Sequence, residues 1–170
     1  KKIKHLHLSP EILVETCNRA GEKTVIRALC DSGTTSTLIL KDYVPRTAIH
    51  SHNKQERTRW DTMGGVFETE EKRLIQFTLP EFSTDNKVSW PVHVDTRSKR
   101  SEHQYDMLIG SDLMHALGMI INYNLKVIQW ENIEVPMKPR GFYMNSDTVQ
   151  TIYDLVSQPL IIQDAEKRHE

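Results

Sequence analysis

Alternation of apolar and polar residues along the N-terminal part of the chain predicts a series of short strands. Lys2 to Leu8 alternates and indicates a first strand. Glu11 to Cys17 and Thr24 to Cys30 flank Ala20-Gly21, which predicts a hairpin with this dipeptide at its tip. Thr37 to Leu40 is a further apolar run and predicts the next strand.

The strand pattern continues through the rest of the chain, with one short helix inside it. Further strands are expected at Phe67 to Leu79, Val88 to Val94, Met119 to Tyr123, Lys126 to Trp130 and Ile133 to Val135. The turn from Thr62 to Phe67 contains Gly64-Gly65 and predicts a hairpin with a glycine-rich tip. A helix is expected over Asp112 to Leu117, with Ser111 as its N-cap and Gly118 at its end.

The composition changes at Pro136, after which prolines and a glycine interrupt the chain. Ser146 is positioned to cap a helix with apolar residues on one face, namely Val149, Ile152, Tyr153 and Val156. We interpret residues 1–138 as a folded domain and residues 139–170 as a linker, with this amphipathic helix, that leads toward a downstream domain.

The amino-acid composition argues against two classes of function, nucleic-acid binding and membrane insertion, and does not by itself identify another. The chain has 170 residues, with 38% hydrophobic and 26% charged, which fits one compact soluble domain with a tail. The formal net charge of −1 provides no electrostatic argument for nucleic-acid binding. No apolar run is long enough to span a membrane, so we expect no membrane contact.

The two cysteines are not expected to form a disulfide. If Asn18 to Lys23 is the hairpin turn, Cys17 lies opposite Thr24 and Cys30 lies opposite Glu11. The thiols then sit at opposite ends of the hairpin, too far apart to bond. Two reduced cysteines indicate a cytosolic protein.

The strongest chemical signal is an acid at the end of an apolar run. Val25 to Cys30 stops at Asp31, which stands on a Ser32-Gly33 turn followed by four hydroxyl residues. A carboxylate at the inner end of buried strands is costly unless it is hydrogen-bonded or used in chemistry. An ordinary Asp-Ser-Gly turn between strands is the alternative interpretation.

A second motif, Leu108-Ile109-Gly110, follows about eighty residues later at the end of another apolar strand. The chain resembles the retropepsins, the dimeric aspartic proteases of retroviruses and LTR retrotransposons. The resemblance is carried by Asp31-Ser32-Gly33 with Leu38-Ile39, then by Gly64-Gly65, and then by this second motif. The sequence from Tyr105 to Met137 is most similar to gypsy-type retrotransposon polyproteins.

This resemblance implies an all-β, retropepsin-like closed barrel with one short C-terminal helix and one catalytic half per chain. Aspartic proteolysis needs two carboxylates that share one proton, and this chain has a single Asp-Ser-Gly. The second carboxylate is therefore expected from Asp31 of another copy, in a homodimer. The implied substrate is a Gag-Pol polyprotein in the cytoplasm or a virus-like particle, and the downstream domain is a reverse transcriptase. The resemblance implies no cofactor and no metal.

The resemblance also assigns roles to residues. Asp31 is the catalytic acid and base, Ser32 braces the two copies, Gly33 contacts substrate and Thr34 supports the pair of carboxylates. The flap tip is expected at Met63, Gly64 and Gly65, and the floor of the active site at Leu108, Ile109 and Gly110. Interface strands are expected around Leu6–Leu8 and Met119–Tyr123.

Three positions depart from the family pattern. Thr34 stands where retropepsins usually carry alanine and resembles the hydroxyl residue of pepsin-like enzymes. Thr35 and Ser111 stand where retroviral members often carry an acid and an arginine that pair to stiffen the dimer. A catalytically weak or inactive dimerisation or spacer module of a polyprotein therefore stays open as an alternative function.

Two other chemistries have weaker support in the sequence. His5 and His7, and likewise His50 and His52, are two residues apart, but no cysteine or acid cluster accompanies either pair, which argues against zinc. Cys30 adjoins Asp31, but a cysteine in the buried register of a strand is usually an inert part of the core.

Overall fold

The computed structural model describes residues 7–50, 57–62, 65–99 and 104–158. Its strands are β1 Leu8–Ser9, β2 Glu11–Cys17, β3 Lys23–Cys30, β4 Leu38–Leu40, β5 Ile49–His50, β6 Thr58–Thr62, β7 Gly65–Thr69, β8 Lys72–Leu79, β9 Ser83–Asp95, β10 Met107–Ile109, β11 Ile120–Asn122, β12 Val127–Trp130, β13 Ile133–Pro136 and β14 Lys138–Pro139. The α-helices are α1 Ser111–Leu117 and α2 Ser146–Ser157. The predicted all-β class is confirmed.

The main sheet closes into a barrel. Its strand order is β2-β3-β10-β4-β9-β8-β5, and β8 also pairs back onto β2 where Glu15 lies opposite Thr78. Alternate residues of these strands point inward, so Ile12, Ile39 and Val92 are fully buried. The closed barrel predicted by the resemblance is confirmed, and closure leaves few unpaired backbone groups along its strands.

The β2–β3 hairpin forms where predicted, but its register differs by one residue from the expected one. Cys17 lies opposite Lys23 and Glu11 lies opposite Leu29. The reason is the turn, in which the Asn18 side chain accepts hydrogen bonds from the N–H groups of Ala20 and Glu22. This arrangement ends the turn one residue earlier. The cysteines still lie at opposite ends of the hairpin, and both are free.

Both helices begin one residue earlier than the sequence indicated. Gly110, not Ser111, is the N-cap of α1, because its carbonyl accepts the first bond of the helix from the Met114 N–H at 3.2 Å while its own backbone is extended. Asn145, not Ser146, caps α2, because its side chain accepts from the Asp147 N–H at 2.8 Å. Gly118 ends α1 in the left-handed conformation, as predicted.

The chain after β13 packs on the barrel up to the end of α2. β14 pairs with β1, the buried Tyr143 donates its hydroxyl hydrogen to Glu81, and the Tyr153 hydroxyl lies 2.6 Å from a Glu15 carboxylate oxygen. The apolar face predicted for α2 is the partly buried one. The division of the chain at residue 138 stays a prediction.

Among the residues that the structure describes, no helix is both long enough and apolar enough to cross a membrane. Most of the predicted first strand, from Lys2 to Leu6, lies outside the described residues, and the described strand there is β1.

Candidate active site

Asp31 stands at the end of β3, where this strand runs parallel to β10. Cys30 lies opposite Ile109, and the Asp31 N–H donates to the Ile109 carbonyl at 2.9 Å. The chain then turns, and the Thr34 N–H donates back to the Asp31 carbonyl at 3.1 Å. The two sequence motifs therefore meet, although about eighty residues separate them.

Each oxygen of the Asp31 carboxylate has its own donor from the turn. The Gly33 N–H lies 3.0 Å from Oδ1, and the Thr34 hydroxyl lies 2.8 Å from Oδ2. Hydrogen bonds to a carboxylate are stronger than those between neutral groups and restrict its orientation. The half-buried Asp31 side chain is thus held in one position directly after β3.

Gly110 allows the second motif to pass directly beneath this turn. A Cβ at this position would lie 2.6 Å from the Ser36 carbonyl oxygen and 2.8 Å from that of Thr34. Its φ of −85° suits any residue, so the requirement for glycine is the close backbone approach. Ile109 is fully buried and Leu108 is half-buried, and the role of these residues and Gly110 as the floor of an active site stays a prediction.

Sequence reasoning missed a brace built around Asp112. Its carboxylate accepts from the Thr37 N–H at 3.2 Å, from the Thr37 hydroxyl at 2.8 Å and from the Trp90 indole at 3.0 Å. The Thr37 hydroxyl also accepts from the Gly110 N–H at 3.1 Å. The sequence had related Asp112 only to the helix dipole, and the hydroxyl run before β4 was the available signal.

This brace is internal to the chain. Thr35 and Ser111 contribute through the main chain: the Asp112 N–H donates to the Thr35 carbonyl at 3.3 Å, and the Ser111 N–H donates to the Thr34 carbonyl at 2.8 Å. The Asp31 turn is therefore tied to the start of α1 by backbone hydrogen bonds and by the Asp112 carboxylate.

Beside the Asp31 carboxylate lies a cleft of about 350 Å³. Its lining includes Asp31, Thr34 and Leu108 together with Trp60 and Phe67 of the β6–β7 hairpin. The hairpin that the sequence predicted as a flap thus borders the same cleft. Gly65 has a φ of 122°, which favours glycine, whereas Met63 and Gly64 lie outside the described residues.

The remaining predicted residues are exposed or only partly described. Ser32 is exposed, and so are Ile120 and Tyr123, each at 56%, in the predicted interface segment. Leu6 lies outside the described residues, and Leu8 pairs with Pro139. A larger cavity of about 600 Å³ between α2 and β3 contains neither Asp31 nor Thr34.

The alternative chemistries considered in the sequence concern the Cys30 thiol and the two histidine pairs. Burial, with a smaller contribution from the Glu81 charge, raises the pKa of the Cys30 thiol to about 12, so this group stays protonated at neutral pH. His50 lies 3.7 Å from Glu71, whereas His5 and His52 lie outside the described residues. Within the described part of the chain, no three metal-binding side chains cluster.

The structure is similar to the crystal structure of the retroviral protease-like domain of Ddi1 from Leishmania major, with a TM-score of 0.49 and 16% sequence identity. The match covers 79% of this chain and 97% of that chain. No protein-family model matches the sequence, and no curated protein matches it. A structural similarity with this TM-score and sequence identity assigns no activity, substrate or oligomeric state to this chain.

Proposed function

We propose that this chain is one half of a homodimeric aspartic endopeptidase with Asp31 as its catalytic residue. The observation that carries the proposal is the Asp31 carboxylate, which is held by one hydrogen bond on each oxygen and borders a cleft flanked by a hairpin. In this fold the Asp31-Ser32-Gly33 turn lies next to Leu108-Ile109-Gly110, the second motif of the sequence.

The chemistry requires a second carboxylate close to the first. Two neighbouring carboxylates cannot both ionise easily, so the pair holds one proton. The ionised group takes a proton from water as the water oxygen adds to the peptide carbonyl carbon, and the other group gives its proton to the carbonyl oxygen. The C–N bond then breaks as the nitrogen takes up a proton. Asp31 of a second copy supplies the partner, with Ser32 bracing the two turns across the axis.

The substrate that we propose is a polypeptide, specifically a retrotransposon Gag-Pol polyprotein processed in the cytoplasm or in a virus-like particle. This finer proposal depends on the resemblance of residues 105–137 to gypsy-type polyproteins. The lining of the cleft favours a peptide with apolar side chains, because it includes Leu29, Leu38, Trp60 and Met107.

Dimer dependence is tested by dilution. We expect activity to fall faster than linearly, and specific activity therefore to decrease, as the protein is diluted through the range in which sedimentation shows dissociation, because each monomer holds half of the site. The exposed Ile120 and Tyr123 would be covered in the dimer. A single-chain fusion of two copies is the control and should keep a constant specific activity.

Constant specific activity of the unfused chain, at concentrations where it sediments as a monomer, would contradict the dimeric mechanism. The inactive-module alternative predicts a different outcome: the chain dimerises but neither cleaves a polyprotein-derived peptide nor binds a statine-type peptide, which needs a formed pair of carboxylates.

The Thr34 hydroxyl is expected to support turnover. Thr34→Val removes the hydroxyl that donates to Asp31 Oδ2 and leaves the side-chain volume nearly constant. A hydrogen bond to a charged group contributes about 1.5 kcal/mol, so its loss should lower kcat roughly tenfold. Thr34→Ser keeps the hydroxyl and is the matched control, with kcat near that of the wild type. Steady-state kinetics on a peptide substrate measure this, and an equally active valine variant would show that the hydroxyl is not needed.

A further inference from the structure

The base of the β6–β7 hairpin is an aromatic cluster that contacts the end of β9. Trp60 and Phe67 face each other across the hairpin, with nearly parallel rings whose centroids are 5.9 Å apart. The Trp60 indole N–H donates to the Thr69 hydroxyl at 2.9 Å, and its ring meets His93 of β9 edge-on, with centroids 5.2 Å apart. These contacts hold the β6 side of the hairpin against the barrel.

Arg97 completes the cluster from the other side of Phe67. The central guanidinium carbon lies 3.4 Å from the centroid of the Phe67 ring. The same guanidinium donates through Nε and one terminal nitrogen to the buried carboxylate of Asp95, at 3.0 and 2.9 Å. We call Asp95, Arg97 and Phe67 the Arg97 stack.

The Arg97 stack combines two features that only arginine provides. A guanidinium is planar, so it can bind a carboxylate through two parallel hydrogen bonds while its face lies on an aromatic ring. Because Asp95 is 2% exposed and also accepts from the Arg97 N–H at 3.0 Å, the plane of the guanidinium is fixed by the barrel. Phe67 then rests on a rigid support at the end of β9.

The stack lies in the wall of the cleft. Asp95, Arg97 and Phe67 all line the same 350 Å³ cleft as Asp31 and Thr34. The position of Phe67 therefore sets how far the hairpin stands from the Asp31 carboxylate. Arg97 is not among the hydrogen-bond partners of that carboxylate, and its own charge is paired with Asp95.

We propose that Arg97 is a positioning residue for peptide binding, which holds the β6–β7 hairpin at the cleft through its stack on Phe67. The effect on peptide binding depends on the proposed protease function, whereas the effect on the hairpin does not. Loss of the stack should weaken binding of the peptide and leave the chemical step largely intact, since the Asp31 turn is supported by separate bonds.

The test compares Arg97→Lys with Arg59→Lys. Lysine keeps the charge but loses the planar contact, and Arg59 is an exposed arginine on β6, so Arg59→Lys is the matched control. Hydrogen exchange of the amides in β6 and β7, residues 58–62 and 65–69, should be about tenfold faster in Arg97→Lys, as local opening becomes easier. We expect KM to rise several-fold, with kcat within about twofold of the wild type, and Arg59→Lys to change neither.

A second variant separates the contribution of the Phe67 ring from that of the Asp95–Arg97 ion pair. Phe67→Leu leaves the Asp95–Arg97 pair in place and should give the same faster exchange and raised KM. Unchanged exchange in both folded variants would overturn the proposal, as would faster exchange with an unchanged KM. A wild-type protein that cleaves nothing would overturn the protease function, and hydrogen exchange would still decide whether Arg97 holds the hairpin.

Discussion

Asp31→Asn is expected to abolish peptide cleavage, lowering kcat by at least about 10³-fold, while the protein stays folded. An amide can neither hold the shared proton nor accept one from water at neutral pH. Folding should survive because the Asn oxygen can still accept from the Gly33 N–H. The Thr34 hydroxyl, now 2.8 Å from the position of Oδ2, can rotate to accept from the new amide nitrogen.

Cleavage of a polyprotein-derived peptide, measured beside circular dichroism and thermal unfolding, checks this expectation. Asp85→Asn is the matched control, because Asp85 is an exposed acid outside the residues that line the cleft. It should retain full activity. Turnover by a well-folded Asp31→Asn protein, purified from a host that lacks the wild-type chain, would remove Asp31 from the mechanism.

Gly110→Ala is expected to have the second largest effect. The added Cβ would meet the Ser36 and Thr34 carbonyl oxygens at 2.6 and 2.8 Å, and backbone atoms cannot rotate away as a flexible side chain can. The turn that carries Asp31 must therefore shift. We expect a loss of about 1–3 kcal/mol in the free energy of unfolding, together with a loss of most activity. Urea unfolding and peptide cleavage measure the two effects.

Gly118→Ala provides the matched control at the other end of α1. Gly118 has a φ of 71°, and a Cβ added there would have no atom within 4 Å, so alanine meets backbone strain but no clash. Its cost in stability should be similar, about 1–2 kcal/mol, but activity should remain. If Gly110→Ala were as active as Gly118→Ala, the close approach beneath the catalytic turn would not matter for catalysis.

The sequence alone determined the features that depend on neighbours along the chain. Alternation placed the β2–β3 hairpin and the three strands from β11 to β13, because side chains on a strand alternate between two faces. Gly118 predicted the end of α1, since glycine adopts the left-handed conformation at low cost. The Asp-Ser-Gly turn was visible as an acid that ends an apolar run.

The tertiary structure decided whatever depends on residues far apart in the chain. A local pattern does not specify which strands pair, so although the resemblance predicted a closed barrel, only the fold showed that β8 and β2 close it. The same holds for the Asp112 brace, whose carboxylate is 75 residues from Thr37. The Arg97 stack likewise joins the end of β9 to a hairpin strand. A charged residue in the sequence indicates that its side chain will need a polar partner when it is buried. Which residue becomes the partner depends on packing, because packing brings distant segments together.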